Sequence, residues 1–198
     1  MVAARNRPTK IALAVLCGVL LVAVFLIPMI GQVSDVADFV TRQTARVTVL
    51  YWSIAAALLL TDHRPLARFS WSLACAAYLV HVATAFESVH GWSHQAAFHH
   101  VEQVSGYGPG IFVSYAFSLL WLCDALWWEF GLQSFERRPV WLDRTIHLFF
   151  AFIVFNGTVV YETGFIRWAG IGIFLLLGIL LVRRFRSSTN VSRFRSPT

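Results

Sequence analysis

The sequence has few charged residues: Asp, Glu, Lys and Arg together make up 13% of its 198 residues. In soluble domains, about a quarter of the residues are charged. Such a shortage, with so many apolar residues, excludes a disordered chain, a coiled coil and a nucleic-acid-binding tail protein, so no nucleic-acid partner is expected. It also disfavours an ordinary soluble enzyme.

Motifs for a named reaction are also missing from the sequence. It contains no catalytic triad, P-loop or dinucleotide fingerprint. The three cysteines, Cys17, Cys75 and Cys123, fall inside apolar stretches at spacings that form no zinc motif. There is no repeat, linker or low-complexity tract. We therefore expect residues 1–198 to form a single membrane domain, and no specific reaction can be assigned from motifs.

What the sequence does contain is a 58% hydrophobic content arranged in long blocks. A helix crosses a bilayer with about 20 mostly apolar residues. The sequence predicts an all-α, polytopic bundle of six transmembrane helices. The predicted spans are 11–30, 45–61, 69–86, 111–130, 145–161 and 166–182. The first span could instead be a signal peptide, but no small-residue cleavage site follows it, which favours an uncleaved helix.

Positive charge is distributed unevenly between the segments that connect these spans. All but three of the 16 Lys and Arg residues lie on the same side as the two termini, the exceptions being Arg42, Arg46 and Arg167. Because Lys and Arg accumulate in cytoplasmic segments, both termini are predicted to be cytoplasmic. We expect the cell (plasma) membrane as the location. The basic tail, residues 183–198, is predicted to meet anionic lipid.

The predicted outer loop, residues 87–110, is rich in histidine and contains no Lys or Arg. Five of the seven histidines lie between residues 81 and 100, together with a carboxylate at Glu87 and another just beyond at Glu102. If the third helix continues through the loop, Glu87, His90 and His94 share one face. If Ser93 instead caps a new helix, His99 and Glu102 become neighbours one turn apart.

Neutral imidazole is a ligand for Zn, Cu and Fe, and histidines also hold haem iron. The cluster therefore predicts a metal or haem site at the outer face, serving redox chemistry or metal handling. The predicted ligands are His81, His90, His94 and His99, with His100, Glu87 and Glu162 as second choices. Two other interpretations stay open: proton sensing or hydrogen bonding by histidine, and an interfacial structure without chemistry.

Polar residues inside the spans suggest a different function. Asp124 in the fourth span is either a proton or ion position or one end of an interhelical hydrogen bond. Asn156 in the fifth span is a candidate partner for Asp124 or His81. On this alternative, the chain is a small transporter, or an accessory or structural subunit packed against a larger membrane-protein complex without metal chemistry.

Overall fold

The structure is a computed structural model that describes the backbone of residues 6–193 and the side chains of residues 6–186. Its α-helices are α1 (Arg7–Ile30), α2 (Val36–Leu60), α3 (Arg64–Ala85), α4 (His94–Ser105), α5 (Gly110–Phe130), α6 (Leu132–Glu136), α7 (Val140–Phe155) and α8 (Gly164–Arg193). One π-helical turn extends α3 (Phe86–His90) and another extends α7 (Asn156–Val160). Side chains of the basic tail beyond residue 186 lie outside the described residues.

Six of these helices are long and apolar enough to cross a membrane, which confirms the predicted all-α bundle of six spans. Several begin earlier than their apolar stretches. Helix α2 begins at Val36 because Asp35 caps it, its side chain accepting a hydrogen bond from the Asp38 backbone N–H at 2.9 Å. Polar first turns of this kind add helix length that hydrophobicity alone does not reveal.

The core lies between α2, α3, α5 and α7, and large aromatic side chains fill it. Trp71 of α3, Trp121 of α5 and Phe150 of α7 are almost fully buried, with ring centroids 4.9–5.5 Å apart. Helices α1 and α8 pack outside this core. Only 11% of the most apolar window of each is buried, so their remaining surface is apolar and suited to lipid.

Each end of the bundle has an ion pair between an arginine and a glutamate. The end formed by residues 86–110 is here termed the histidine end. At this end Arg42 of α2 lies 3.6 Å from Glu162, which precedes α8. The other end is termed the opposite end, where Arg68 of α3 binds Glu129 of α5 at 2.8 Å.

Candidate functional site

The histidine-rich segment folds as a turn followed by a short surface helix. Gly91 and Trp92 both adopt positive φ angles, which ends the extension of α3. Ser93 then caps α4, its hydroxyl accepting a hydrogen bond from the Ala96 backbone N–H at 3.2 Å. Of the two arrangements that the sequence left open, the structure has the new helix. Glu87, His90 and His94 therefore do not lie on one continuous helix.

The closest pair of histidines joins the end of α3 to α4. The rings of His90 and His100 are 5.1 Å apart between centroids. Glu87 lies nearby in sequence, but its carboxylate accepts a hydrogen bond from the Trp92 indole N–H at 2.5 Å. Two imidazoles thus come together at this point, without a third metal-ligating side chain grouped with them among the described residues.

The other predicted ligands of the segment have separate partners. His94 Nδ1 lies 2.8 Å from the Tyr115 hydroxyl of α5. His99 Nδ1 lies 3.4 Å from Glu102, one turn further along α4. Within residues 6–186, whose side chains are described, no group of three or more His, Cys, Asp or Glu side chains is arranged to hold a metal ion.

His81 lies away from the surface histidines, between α2 and α3. Its Nδ1 is 3.0 Å from the Thr41 backbone carbonyl and 3.4 Å from the Thr44 hydroxyl. Its ring neighbours that of Tyr78, one turn earlier on α3, at 6.1 Å. His81 is thus an intramembrane polar residue with neighbours on α2.

The two remaining predicted residues do not join either group. Glu162 faces Arg42, as described above. Asn156 donates a side-chain hydrogen bond to the Phe152 backbone carbonyl at 2.8 Å, within its own helix. Its amide is therefore used locally, and neither Asp124 nor His81 is its hydrogen-bond partner.

The strongest concentration of buried charge lies at the opposite end, around Arg138. The Arg138 Nη1 donates to Asp124 at 2.5 Å, and only 4% and 1% of the two side chains are exposed. The Nε and Nη2 atoms of the same guanidinium donate to Asp143, whose side chain is 44% exposed. His147 lies one turn further along α7, with its Nε2 3.7 Å from Asp143. These four residues are termed the Arg138 cluster.

The short helix α6 brings Arg138 back into the bundle. Phe135 of α6 is buried and stacks on Trp128 of α5, with centroids 4.8 Å apart and planes 6° apart. The Arg138 guanidinium lies over the Phe135 ring, 3.8 Å from its centroid. Ser134 accepts a hydrogen bond from the Trp127 indole N–H at 2.7 Å. The loop residue Arg138 is therefore held between aromatic rings and carboxylates.

Several buried polar atoms of α3 and α5 have no hydrogen-bond partner among the described residues. They are the second oxygen of Asp124, the indole nitrogens of Trp71 and Trp121, and the Ser70 hydroxyl. Trp121 lies one turn before Asp124 on α5, and the Trp71 ring is 5.3 Å from that of His147. Unpartnered buried polar groups are costly and rare. The second oxygen of Asp124 thus has no hydrogen-bond donor among the described side chains, and the two indole N–H groups have no acceptor.

Sequence reasoning identified Asp124 but missed the other members of its cluster. Arg138 looks like an ordinary cytoplasmic arginine of a loop between two spans. One signal was present: Asp143 and His147 are four residues apart at the start of a span, the spacing of neighbours on a helix face.

Comparison with known proteins gives no relative for this chain: no family model matches it, and no characterised protein or solved structure is significantly similar. Its class rests on the fold. The chain is an integral, multi-pass membrane protein with six candidate transmembrane helices.

Proposed function

We propose that the chain is a small proton-translocating membrane protein, and that Asp124 is its proton-binding residue. One observation carries the proposal: a single buried arginine, Arg138, binds two carboxylates, those of Asp124 and Asp143. Ionisable residues inside membrane bundles are expensive, and they commonly form proton relays or ion sites.

The charges of the Arg138 cluster support binding of one proton. With His147 neutral, two carboxylates and one guanidinium carry a net charge of about −1. A proton on the unpartnered oxygen of Asp124 makes the cluster neutral. Loss of a counter-charge normally leaves a buried cation unpaired, at a cost of about 3–5 kcal/mol. Here Arg138 keeps two hydrogen bonds to Asp143, so the change in Asp124 is tolerated.

Polar side chains along the interior suggest the path by which a proton reaches Asp124. His81 lies towards the histidine end, followed by Tyr78, whose hydroxyl is 2.8 Å from that of Ser118. Ser118 lies six residues, about 9 Å, from Asp124 along α5. Between them is Trp121, whose unpartnered indole N–H can bind a bridging water.

The proposed orientation says which side of the membrane each end of the path faces. With the termini in the cytoplasm of a cell with a plasma membrane, the histidine end faces outwards and the Arg138 cluster lies near the cytoplasmic surface. The basic tail, residues 183–198, then contacts anionic lipid of the inner leaflet. Protons would enter past His81 and leave past Asp143 and His147.

The test is proton flux into liposomes that contain the purified protein. A potassium diffusion potential drives protons inwards, and an enclosed pH-sensitive dye reports their arrival. We expect wild-type flux above that of empty liposomes. Asp124→Asn should reduce it to the level of empty liposomes because the amide cannot take up the proton. The matched control is Asn156→Asp, which adds a carboxyl elsewhere in the bundle, outside the Arg138 cluster.

Two results would contradict this proposal. One is wild-type flux no greater than that of empty liposomes across the range of imposed potentials. The other is undiminished flux in Asp124→Asn. A His90→Ala, His94→Ala double variant distinguishes proton binding in the Arg138 cluster from proton binding by the surface histidines. It should leave proton flux unchanged.

A second function, metal handling at the histidine end, is favoured by the contact between His90 and His100. Rings 5.1 Å apart need only small side-chain rotations to direct two nitrogens at one ion. Such a site would hold Zn, Cu or Fe loosely, with water or a further histidine such as His94 or His99 completing the coordination.

Metal analysis and an absorption spectrum of the purified protein test this second function. Bound Zn, Fe or Cu that is lost in a His90→Ala, His100→Ala double variant supports it, and a Soret band would identify haem. The control is His63→Ala, a histidine outside the cluster. Metal content equal to background, or equal in wild type and double variant, would exclude the pair as a metal site.

A further inference from the structure

A groove runs between α1 and α2 on the surface of the bundle, away from the Arg138 cluster. Its volume is about 500 Å³, within the range of about 300–1,000 Å³ typical of ligand pockets. Apolar side chains of both helices line most of it, from Ile27 and Phe39 near the histidine end to Leu20 and Leu50 deeper in the bundle. The polar lining residues are Gln43 and Arg46, both on α2.

Arg46 differs from the neighbouring arginine in having no acidic partner among the described side chains. Arg42 binds Asp38 at 2.7 Å and faces Glu162 at 3.6 Å. Arg46 forms no ion pair with any residue whose side chain is described, and its Nε is buried without a hydrogen-bond partner. The Arg46 side chain is half-buried, and a guanidinium that is partly enclosed by apolar side chains needs an anion or water as its hydrogen-bond partner.

The backbone of Arg46 lies within the hydrocarbon region, at a depth from which its side chain extends towards the lipid headgroups. Helix α2 finishes with Leu60 at the opposite end of the bundle. Arg46 lies 14 residues before Leu60, about 21 Å along the helix axis. The hydrocarbon core is about 30 Å thick. Helical side chains lean towards the helix N-terminus, which for α2 is the histidine end. The guanidinium therefore extends from the hydrocarbon region towards the headgroups of the nearer leaflet.

We propose that this groove binds one anionic phospholipid, with an acyl chain along the apolar lining and the phosphate held by Arg46 and Gln43. Gln43 lies one turn from Arg46 on the same face of α2 and can donate a second hydrogen bond. The lipid charge supplies the anion that the protein does not provide.

Native mass spectrometry of the full-length protein, delipidated in detergent and then titrated with lipid, tests the proposal. Phosphatidylglycerol should bind as a single tight equivalent, more strongly than phosphatidylcholine of the same chain length. Arg46→Gln should weaken phosphatidylglycerol binding about tenfold or more, the effect of losing one charge-assisted hydrogen bond. Arg46→Lys should restore part of it. Arg42→Gln is the matched control and should leave binding unchanged.

A second variant tests the apolar part of the groove. Ala23→Phe fills it while keeping Arg46, and should also abolish the single tight equivalent. Equal binding of the two lipids, or full binding by Arg46→Gln, would overturn the proposal. Inorganic phosphate in millimolar excess should not displace the lipid, since it lacks the acyl chain. Displacement by phosphate would assign the site to a free anion and also overturn it.

Discussion

Replacement of Arg138 by glutamine should destabilise the protein far more than replacement of either carboxylate that it binds. In Arg138→Gln, the Asp124 carboxylate stays buried, with 1% of its side chain exposed, and loses its cation. Removing one partner of a buried pair costs about 3–5 kcal/mol. The same variant also loses the contact of the guanidinium with Phe135.

The carboxylate variants should behave differently because Arg138 has two partners. In Asp124→Asn, the guanidinium keeps Asp143 and can still donate to the new amide oxygen, so the expected loss is about 1 kcal/mol. In Asp143→Asn, the replaced side chain is 44% exposed, and the expected loss is about 1 kcal/mol or less.

The assay is the free energy of unfolding, measured by titrating mixed micelles with a denaturing detergent. Arg137→Gln is the matched control: it makes the same change at the adjacent, exposed residue and should lie within about 0.5 kcal/mol of wild type. If Arg138→Gln destabilises no more than Asp124→Asn, the buried carboxylate does not depend on Arg138, and the reasoning is refuted.

Further predictions concern the histidine end and the orientation of the chain. Gly108→Val should destabilise the junction of α4 and α5, because a Cβ at Gly108 would lie 2.3 Å from the Phe98 ring; thermal denaturation should show a clear decrease in Tm, and an unchanged Tm would contradict the packing. Ser93→Ala should reduce the stability of α4 by about 1 kcal/mol, seen as faster amide exchange in α4 alone. With the native cysteines replaced, Ser105→Cys should react with a membrane-impermeant maleimide in intact cells, and Gln133→Cys only after permeabilisation; the reverse pattern would invert the proposed orientation.

The sequence predicts the number of spans well because each is a long apolar block. The helix starts were harder to place. Asp35 and Asp38 look like loop residues by hydrophobicity, yet the first caps α2 and the second pairs with Arg42 in its first turns. The short helix α6 was missed because five residues carry no periodic signal.

The candidate sites show a different limit of sequence reasoning. The clustering of histidines in sequence is real, but positive φ at Gly91 and Trp92 redirects the chain and separates His90 from His94. Conversely, Asp124 and Arg138 are 14 residues apart and do not share a helix, and they meet because Phe135 and Trp128 hold α6 back against α5. Contacts that depend on the path of a loop cannot be deduced from spacing along one helix.

The central claim is that Asp124 takes up a proton while Arg138 remains bound to Asp143. Infrared difference spectroscopy of the protein in liposomes, recorded across an acidification step, observes this event through the carbonyl stretch of a protonated carboxyl group. We expect a band in wild type that shifts in heavy water and disappears in Asp124→Asn. In Asp143→Asn the band should need stronger acidification, because Arg138 then has no second carboxylate to keep when Asp124 is protonated. The same band at full amplitude in Asp124→Asn would show that the proton binds elsewhere and contradict the claim.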